Sequence, residues 1–166
     1  MDMLVKLYAL PDSRPAYDRL QQAGIVMRRA LAPEKHKVTA WVRETFSEAW
    51  ASETEVAFSR QPVSCFIAIQ QKAIMGFACY DAACRNFFGP TGVAPKSQQN
   101  GIGKALLVHL AKHCLANGWA RLQWAVLDWN APSIAFYKSL GAEMVDEWTI
   151  CRVSGPALSA LAEGAR

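Results

Sequence analysis

The residues best suited to chemistry lie in segment 93–104, between a predicted strand and a predicted helix. A helix N-terminus presents unpaired N–H groups and the positive end of the helix dipole, and both attract phosphate. Gly101 and Gly103 would let a bulky pyrophosphate approach the backbone closely, and Lys104 adds a positive charge. Three polar side chains precede the glycines without blocking the N–H groups: Gln98, Gln99 and Asn100.

The spacing of the glycines argues against two common phosphate motifs. The segment does not follow GxxxxGK[ST], so a nucleoside-triphosphate P-loop is not supported. It also does not follow GxGxxG with an acidic residue about twenty positions later, so a dinucleotide fold is disfavoured. On this segment alone, a phosphate site and an ordinary turn that needs glycine both remain open.

Other residues that could do chemistry give weaker signals. His109 and His113 are one helical turn apart, as metal ligands can be, but no third ligand accompanies them. We therefore expect exposed histidines and no metal site. The cysteines are odd in number and form no CxxC pair, which favours a reducing compartment over a disulfide framework. They are Cys65, Cys79, Cys84, Cys114 and Cys151.

The composition indicates one folded domain. Of 166 residues, 52% are hydrophobic and 19% are charged, which is enough apolar surface for a core. No apolar run reaches the roughly eighteen residues of a membrane span, and no secretory signal is visible, so we expect a cytoplasmic protein without a membrane partner. The net charge of +4 is mild and scattered, which disfavours a nucleic-acid partner but suits an anionic cofactor.

The hydrophobic pattern predicts alternating strands and helices. Apolar, β-branched and aromatic runs predict strands at 4–10, 25–31, 63–69, 73–80, 86–93, 121–127 and 143–153. Helical spacing and end signals predict helices at 16–23, 34–59 in two pieces, 102–117, from a cap at Asn130 to 140, and 156–162. Short turns between the three middle strands predict antiparallel pairing. The order predicts an α/β fold, a mixed sheet with helices on its faces.

Two motifs resemble those of the GNAT family, the GCN5-related N-acetyltransferases. The first, V-x-P-x-x-[RQ]-x-x-G-x-[GA], is matched by Val93, Pro95, Gln98, Gly101 and Gly103. The second, N-x-x-[AS]-x-x-[FL]-Y-x-x-x-G-[FA], is matched by residues 130–142. The chain departs from the family at Gln98, where Arg is commoner, and at Gln99, where Gly is commoner. The resemblance covers roughly residues 25–153.

The resemblance implies an acyl-CoA N-acyltransferase fold: a central, mixed and mostly antiparallel sheet of about six to seven strands, splayed between strands 87–93 and 121–127. It implies acetyl-CoA as co-substrate, with the pantetheine arm in that gap. It also implies that Tyr137 is the catalytic residue that hydrogen-bonds or protonates the departing thiolate. The implied cofactor-binding residues are Thr91, Gly92, Val93, Gln98, Gln99, Asn100, Gly101, Ile102, Gly103, Lys104, Asn130 and Tyr137.

The function implied by the resemblance is transfer of the acetyl group of acetyl-CoA to an amine, by direct attack in a ternary complex. Local similarity to diamine N-acetyltransferases favours a primary amine of a small molecule. Acetylation of a protein N-terminus or lysine, and a CoA-binding module without turnover, stay open as alternatives. The general base is not assigned, and water could carry the proton away. The carboxylates that could serve are Glu44, Glu48, Glu55, Asp81 and Asp128.

The predicted organisation has three parts. We expect an N-terminal extension at 1–24, the N-acetyltransferase domain at 25–153 and a C-terminal tail at 154–166. Segment 143–153 is apolar enough to pair with a second copy, so we expect a homodimer.

Overall fold

The computed structural model describes residues 2–6, 14–84, 87–146 and 153–164, the first of these ranges as backbone alone. Its α-helices are α1 (Arg14–Gln22), α2 (Lys35–Thr45), α3 (Glu48–Phe58), α4 (Ile102–Ala116), α5 (Ala131–Ser139) and α6 (Pro156–Ala162). Its strands are β1 (Asp2–Lys6), β2 (Ile25–Arg29), β3 (Cys65–Gln70), β4 (Ala73–Tyr80), β5 (Phe88–Val93), β6 (Arg121–Ala125) and β7 (Ala142–Val145). Short 3₁₀ helices at Ala32–Glu34 and Pro95–Asn100 precede α2 and α4. Each predicted helix and strand has a counterpart.

The strands form two antiparallel sheets, in the orders β2-β3-β4-β5 and β6-β1-β7. The antiparallel pairing of β3, β4 and β5 confirms the prediction made from the short turns between them. Strands β5 and β6 are neighbours, yet no backbone ladder joins them within the described ranges. The α/β fold class is confirmed, and the sheet is open at the point where the splay was predicted.

Helices cover both faces of the sheets because each presents one apolar side. In α4, Ile102, Leu106 and Leu110 recur at helical spacing and are fully buried in a cluster that includes Leu20 of α1 and against which partly buried residues of α5 pack. On the opposite face, Val38 and Val42 of α2 belong to a second buried cluster with α3, β3 and β4. Burying one such side chain stabilises the fold by about 1.5–3 kcal/mol. No helix in the described ranges is both long and apolar enough to span a bilayer.

The predicted helix 34–59 does break into two pieces, and local geometry explains the break. Phe46 leaves the helical region, with φ −127° and ψ −77°. Ser47 then caps α3, because its hydroxyl accepts a hydrogen bond from the Trp50 N–H at 3.2 Å. The break therefore places Phe46 at a junction between two helices, where its ring can reach the sheet.

The two ends of the sequence pattern are described only in part. The predicted strands 4–10 and 143–153 correspond to β1 and β7, and residues 7–13 and 147–152 lie outside the described ranges. Strand β1 lies between β6 and β7 and so forms the middle of the smaller sheet. The division into extension, domain and tail stays a prediction.

Candidate active site between strands β5 and β6

The N-terminus of α4 has the features of an anion site. Its N-cap is Gly101, which has a left-handed backbone with φ 72°, and no side chain caps the helix. That conformation favours glycine, and nothing lies within 4 Å of the place where a Cβ would stand. The first N–H groups of a helix have no intrahelical partner, and the dipole of a 15-residue helix ends positively at the same point. The helix end can therefore hold a phosphate.

Gly103 is glycine for a different reason. It lies inside α4, and a Cβ there would make ordinary contacts of 3.7 Å with the rings and methyls of Phe136 and Val93. The protein's own packing would thus accept a side chain at this position. A ligand that lay against the helix N–H groups would leave no room for a side chain here. Glycine at this position is therefore consistent with the predicted close approach of a pyrophosphate.

The predicted side-chain donors surround this helix end to different degrees. Gln98 and Asn100 are exposed and Lys104 is half-exposed. The Ile102 side chain is fully buried, so only its backbone N–H can face a ligand. The side chain of Gln99 lies outside the described part of the chain. The 3₁₀ helix that precedes this helix end, Pro95–Asn100, was not predicted from the sequence.

Helix α5 brings the second motif against the first. Phe136 packs beside Gly103, and its ring centroid is 5.3 Å from that of Tyr137. Tyr137 lies 5.0 Å from Trp124 of β6, which meets Phe88 of β5 at 5.8 Å. A continuous row of rings thus runs from the α4 N-terminus to the gap between the strands. Burial raises the pKa of the Tyr137 phenol, so the hydroxyl keeps its proton at neutral pH.

Asn130 caps α5, as its position before Pro132 predicted. Its side-chain oxygen accepts a hydrogen bond from the Ser133 N–H at 3.3 Å. The two donors of the amide nitrogen take no part in that bond. The capping role is confirmed, and a cofactor contact through the nitrogen stays a prediction.

Strand β5 has one paired edge and one open edge. Thr91, Gly92 and Val93 pair with β4, and the Thr91 hydroxyl donates to the backbone oxygen of Phe77 at 3.0 Å. The opposite edge makes no ladder with any described strand. An extended ligand with amide groups could pair with that edge as an added strand does.

An aromatic cluster covers the other face of β5. Its residues were not among the predicted site residues. A Cβ on Gly92 would stand 2.5 Å from the Phe46 ring, so Phe46 requires glycine there. Phe46 also packs against Trp41 at 5.6 Å and Trp50 at 5.2 Å. All three rings are partly exposed. Their helical spacing was visible in the sequence, but only the break at residue 46 turns them toward β5.

The two histidines of α4 are not exposed, which corrects the expectation from the sequence. His109 packs edge-on against Phe66 at 4.5 Å, and His113 lies 5.0 Å from Tyr80. Tyr17 places its hydroxyl 3.2 Å from Nδ1 of His109. Burial lowers the pKa of both imidazoles. These rings fill the α4 interface because their faces are apolar. No group of three metal-ligating side chains occurs in the described ranges.

Several other candidate groups are engaged elsewhere. Arg43 binds Glu48 at 2.6 Å, and Lys35 lies 3.5 Å from Glu55. These ion pairs engage Glu48 and Glu55, which are two of the five carboxylates considered as the general base.

The cysteines of the described ranges are free thiols. Three are buried and Cys84 is exposed: Cys65, Cys79, Cys84 and Cys114.

The chain matches the acetyltransferase (GNAT) family over residues 35–142 and belongs to that family. The match includes the open helix end, the free edge of β5 and the second motif. The family resemblance read from the two motifs is thereby confirmed.

Individual relatives support the same assignment. The chain is 42% identical over 64 residues to the L-ornithine N5-acetyltransferase of Arabidopsis thaliana, and the matched segment covers 39% of this chain and 28% of that protein. It is 37% identical over 73 residues to the thialysine N-epsilon-acetyltransferase of Bos taurus, which covers 42% and 43%. The chain therefore spans less than half the length of these relatives. A solved aminoglycoside N-acetyltransferase in complex with CoA superposes with a TM-score of 0.63 at 17% identity, over 78% of this chain and 94% of that one.

Proposed function

We propose that the protein is an acetyl-CoA-dependent N-acetyltransferase that acts on the primary amine of a small molecule. One observation carries the proposal: the open N-terminus of α4 and the partly buried phenol of Tyr137 lie along one row of rings beside the free edge of β5. When bound there, acetyl-CoA would supply an acetyl group activated as a thioester. A phosphate cradle, a strand edge and a proton donor at one gap form the minimum set for this chemistry.

The residues present fit the cofactor. The backbone N–H groups at 101–104 would hold the pyrophosphate, and the backbone at 91–93 would pair with the pantetheine amides. Lys104 would add positive charge, and exposed Gln98 and Asn100 would donate amide hydrogen bonds in place of the commoner arginine. The free nitrogen of the Asn130 amide would reach the same ligand. Gln99 and Ile102 would contribute through their backbone.

Tyr137 would act as the general acid. A neutral amine attacks the thioester carbonyl in a ternary complex, so that a C–N bond forms and the C–S bond breaks. The phenol of Tyr137, whose pKa burial raises, is protonated at neutral pH and would give its proton to the departing thiolate. The amine would lose its own proton to water, and water would return a proton to the tyrosinate.

The aromatic cluster of Trp41, Phe46 and Trp50 would form the wall of the acceptor site. It lies on the opposite face of β5 from Tyr137, against the backbone of Gly92. Partly exposed rings offer an apolar surface to a carbon chain and a negative face to an ammonium group. The relatives named for ornithine and thialysine support an acceptor of this size.

Turnover of acetyl-CoA against a panel of amines tests the proposal. Small primary amines should release free thiol and yield the acetylated amine by mass spectrometry. A peptide with a free N-terminus and lysine should not react faster than the best small amine. Faster peptide acetylation would favour a protein substrate, and CoA binding without thiol release would favour a non-catalytic module. Either result would overturn the proposed function.

We further propose that the protein is a cytoplasmic homodimer. Strand β7 lies at one end of the smaller sheet, and its outer edge pairs with no strand among the described residues, which supports pairing with a second copy. The four cysteines of the described ranges are free thiols, which supports a reducing compartment. Light scattering at micromolar concentration should give twice the mass of 18.3 kDa. A monomer mass would refute the dimer.

A further inference from the structure

Trp124 of β6 holds a buried hydrogen-bond donor that the fold leaves unused. The residue is 4% exposed. Its indole Nε1 is inaccessible and has no hydrogen-bond partner among the described residues. Buried polar groups in native proteins almost always have a partner, because an unpaired one costs free energy of desolvation without compensation. An orphaned indole N–H therefore indicates a partner from outside the polypeptide, either a water or a group of a ligand.

The surroundings of the indole show where such a partner would come from. The Trp124 ring bridges Tyr137 at 5.0 Å and Phe88 at 5.8 Å, so it lines the gap between β5 and β6. Both neighbouring rings are steeply inclined to the indole, at 86° for Phe88 and 66° for Tyr137, and even an aromatic face beneath the N–H would accept a hydrogen bond only weakly. Tyr137 is the residue proposed to meet the thiolate. The indole therefore lies beside the part of the gap that the reacting end of the cofactor would occupy, and its N–H must become accessible when the ligand binds.

We propose that the Trp124 indole N–H donates a hydrogen bond to a carbonyl oxygen of the acyl-pantetheine arm, and so positions that arm against Tyr137. The inference rests on the proposed function. The arm carries two kinds of carbonyl acceptor, the pantetheine amides and the thioester. An indole donor has a fixed direction and one proton, so it specifies the place of a single carbonyl.

Indole ¹⁵N–¹H spectra test the contact directly. The six tryptophans give six indole signals, and Trp124→Phe and Trp119→Phe identify two of them by loss. Acetyl-CoA should shift the Trp124 proton downfield and leave Trp119, at the far end of α4, unmoved. A shift with both CoA and acetyl-CoA assigns a pantetheine amide, whereas a shift with acetyl-CoA alone assigns the thioester. An unmoved Trp124 signal while calorimetry shows saturation would overturn the inference and leave the proposed function standing. No heat of binding would overturn both.

A matched isostere separates this role from packing. Replacing Trp124 with benzothienylalanine by codon suppression keeps the two-ring shape and exchanges the N–H for sulfur. Acetyl-CoA should then bind about tenfold more weakly, as expected for one lost hydrogen bond of about 1.4 kcal/mol. The Tm of the free protein should not fall, because the N–H has no partner there to lose. Unchanged affinity, or a lowered Tm with unchanged affinity, would assign Trp124 to packing alone.

Discussion

The two faces of strand β5 contribute to the candidate site in different ways. On the α4 side the proposed ligand-binding surface is backbone: a glycine N-cap, the first N–H groups of the helix and the open edge of β5. On the α2–α3 face it is made of side chains, the rings of Trp41, Phe46 and Trp50. A backbone site binds a group common to every acyl-CoA and constrains the sequence mainly at its glycines. A side-chain site selects among acceptors and leaves no fixed spacing in the sequence.

The largest effect should follow a charge placed on the backbone side. Gly101→Glu would set a carboxylate against the proposed pyrophosphate and should weaken acetyl-CoA binding by more than about a hundredfold. Gly101→Ala is the matched control, because it shares the strain of a left-handed φ, about 1–2 kcal/mol, without the charge. Calorimetry on both folded variants measures the difference. Equal affinities in Gly101→Glu and the unaltered protein would show that α4 does not bind phosphate.

Tyr137 is proposed to lie at the reacting end of the cofactor, and its hydroxyl should then matter only in the transition state. Tyr137→Phe keeps the ring contacts with Trp124 and Phe136. We expect turnover to fall by about a hundredfold or more, roughly 2.7 kcal/mol, with acetyl-CoA affinity nearly constant. Steady-state rates with a confirmed acceptor, under conditions where chemistry limits, provide the check. Full turnover in this variant would assign the sulfur proton to water or another group.

A change among the aromatic side chains on the other face of β5 should affect binding of the amine and leave binding of acetyl-CoA unchanged. Phe46→Ala removes the ring that touches Gly92 and should raise the KM for the amine about tenfold, near 1.4 kcal/mol. The affinity for acetyl-CoA should stay within about twofold, since that site is backbone. Phe46→Leu keeps apolar volume and should recover part of the loss. A raised acetyl-CoA Kd with an unchanged amine KM would remove the distinction between the two faces.

The sequence predicted what depends on local rules and missed what depends on tertiary placement. Local signals over a few residues predicted three features. Helix α4 follows from the spacing of its apolar residues. The short turn between β3 and β4, at Gln71 and Lys72, follows from turn geometry, and the cap at Asn130 follows from its side-chain chemistry. The strand order β6-β1-β7 could not be predicted, because it pairs segments more than a hundred residues apart. The proposed aromatic wall was missed for the same reason. Its residues have helical spacing, and their contact with β5 depends on the helix break and on the position of that strand.

The histidines show how a local rule can mislead. His109 and His113 fell outside the leucine stripe of α4 and were expected in solvent. In the structure α4 packs on more than one side, and the rings of Phe66 and Tyr80 meet the second side. An imidazole that stays neutral is apolar enough for such a surface, and burial keeps it neutral by lowering its pKa. Periodicity therefore identified one buried stripe and could not reveal the second.

The smallest expected effect concerns Asn130, where the two kinds of contact meet in one side chain. Asn130→Ala removes the cap on Ser133 and should destabilise the protein by about 1 kcal/mol, or roughly 2–4 °C in Tm. It should also weaken acetyl-CoA binding several-fold, near 1 kcal/mol, because the amide nitrogen is proposed to donate to the cofactor. Asn130→Ser separates the two effects, since a hydroxyl oxygen can accept from the Ser133 N–H but cannot extend as far as the amide nitrogen. Thermal unfolding should then return to near the unaltered value while calorimetry still reports weaker binding. Recovery of both Tm and affinity in Asn130→Ser would mean that Asn130 serves the helix alone, and the cofactor contact would have to be withdrawn.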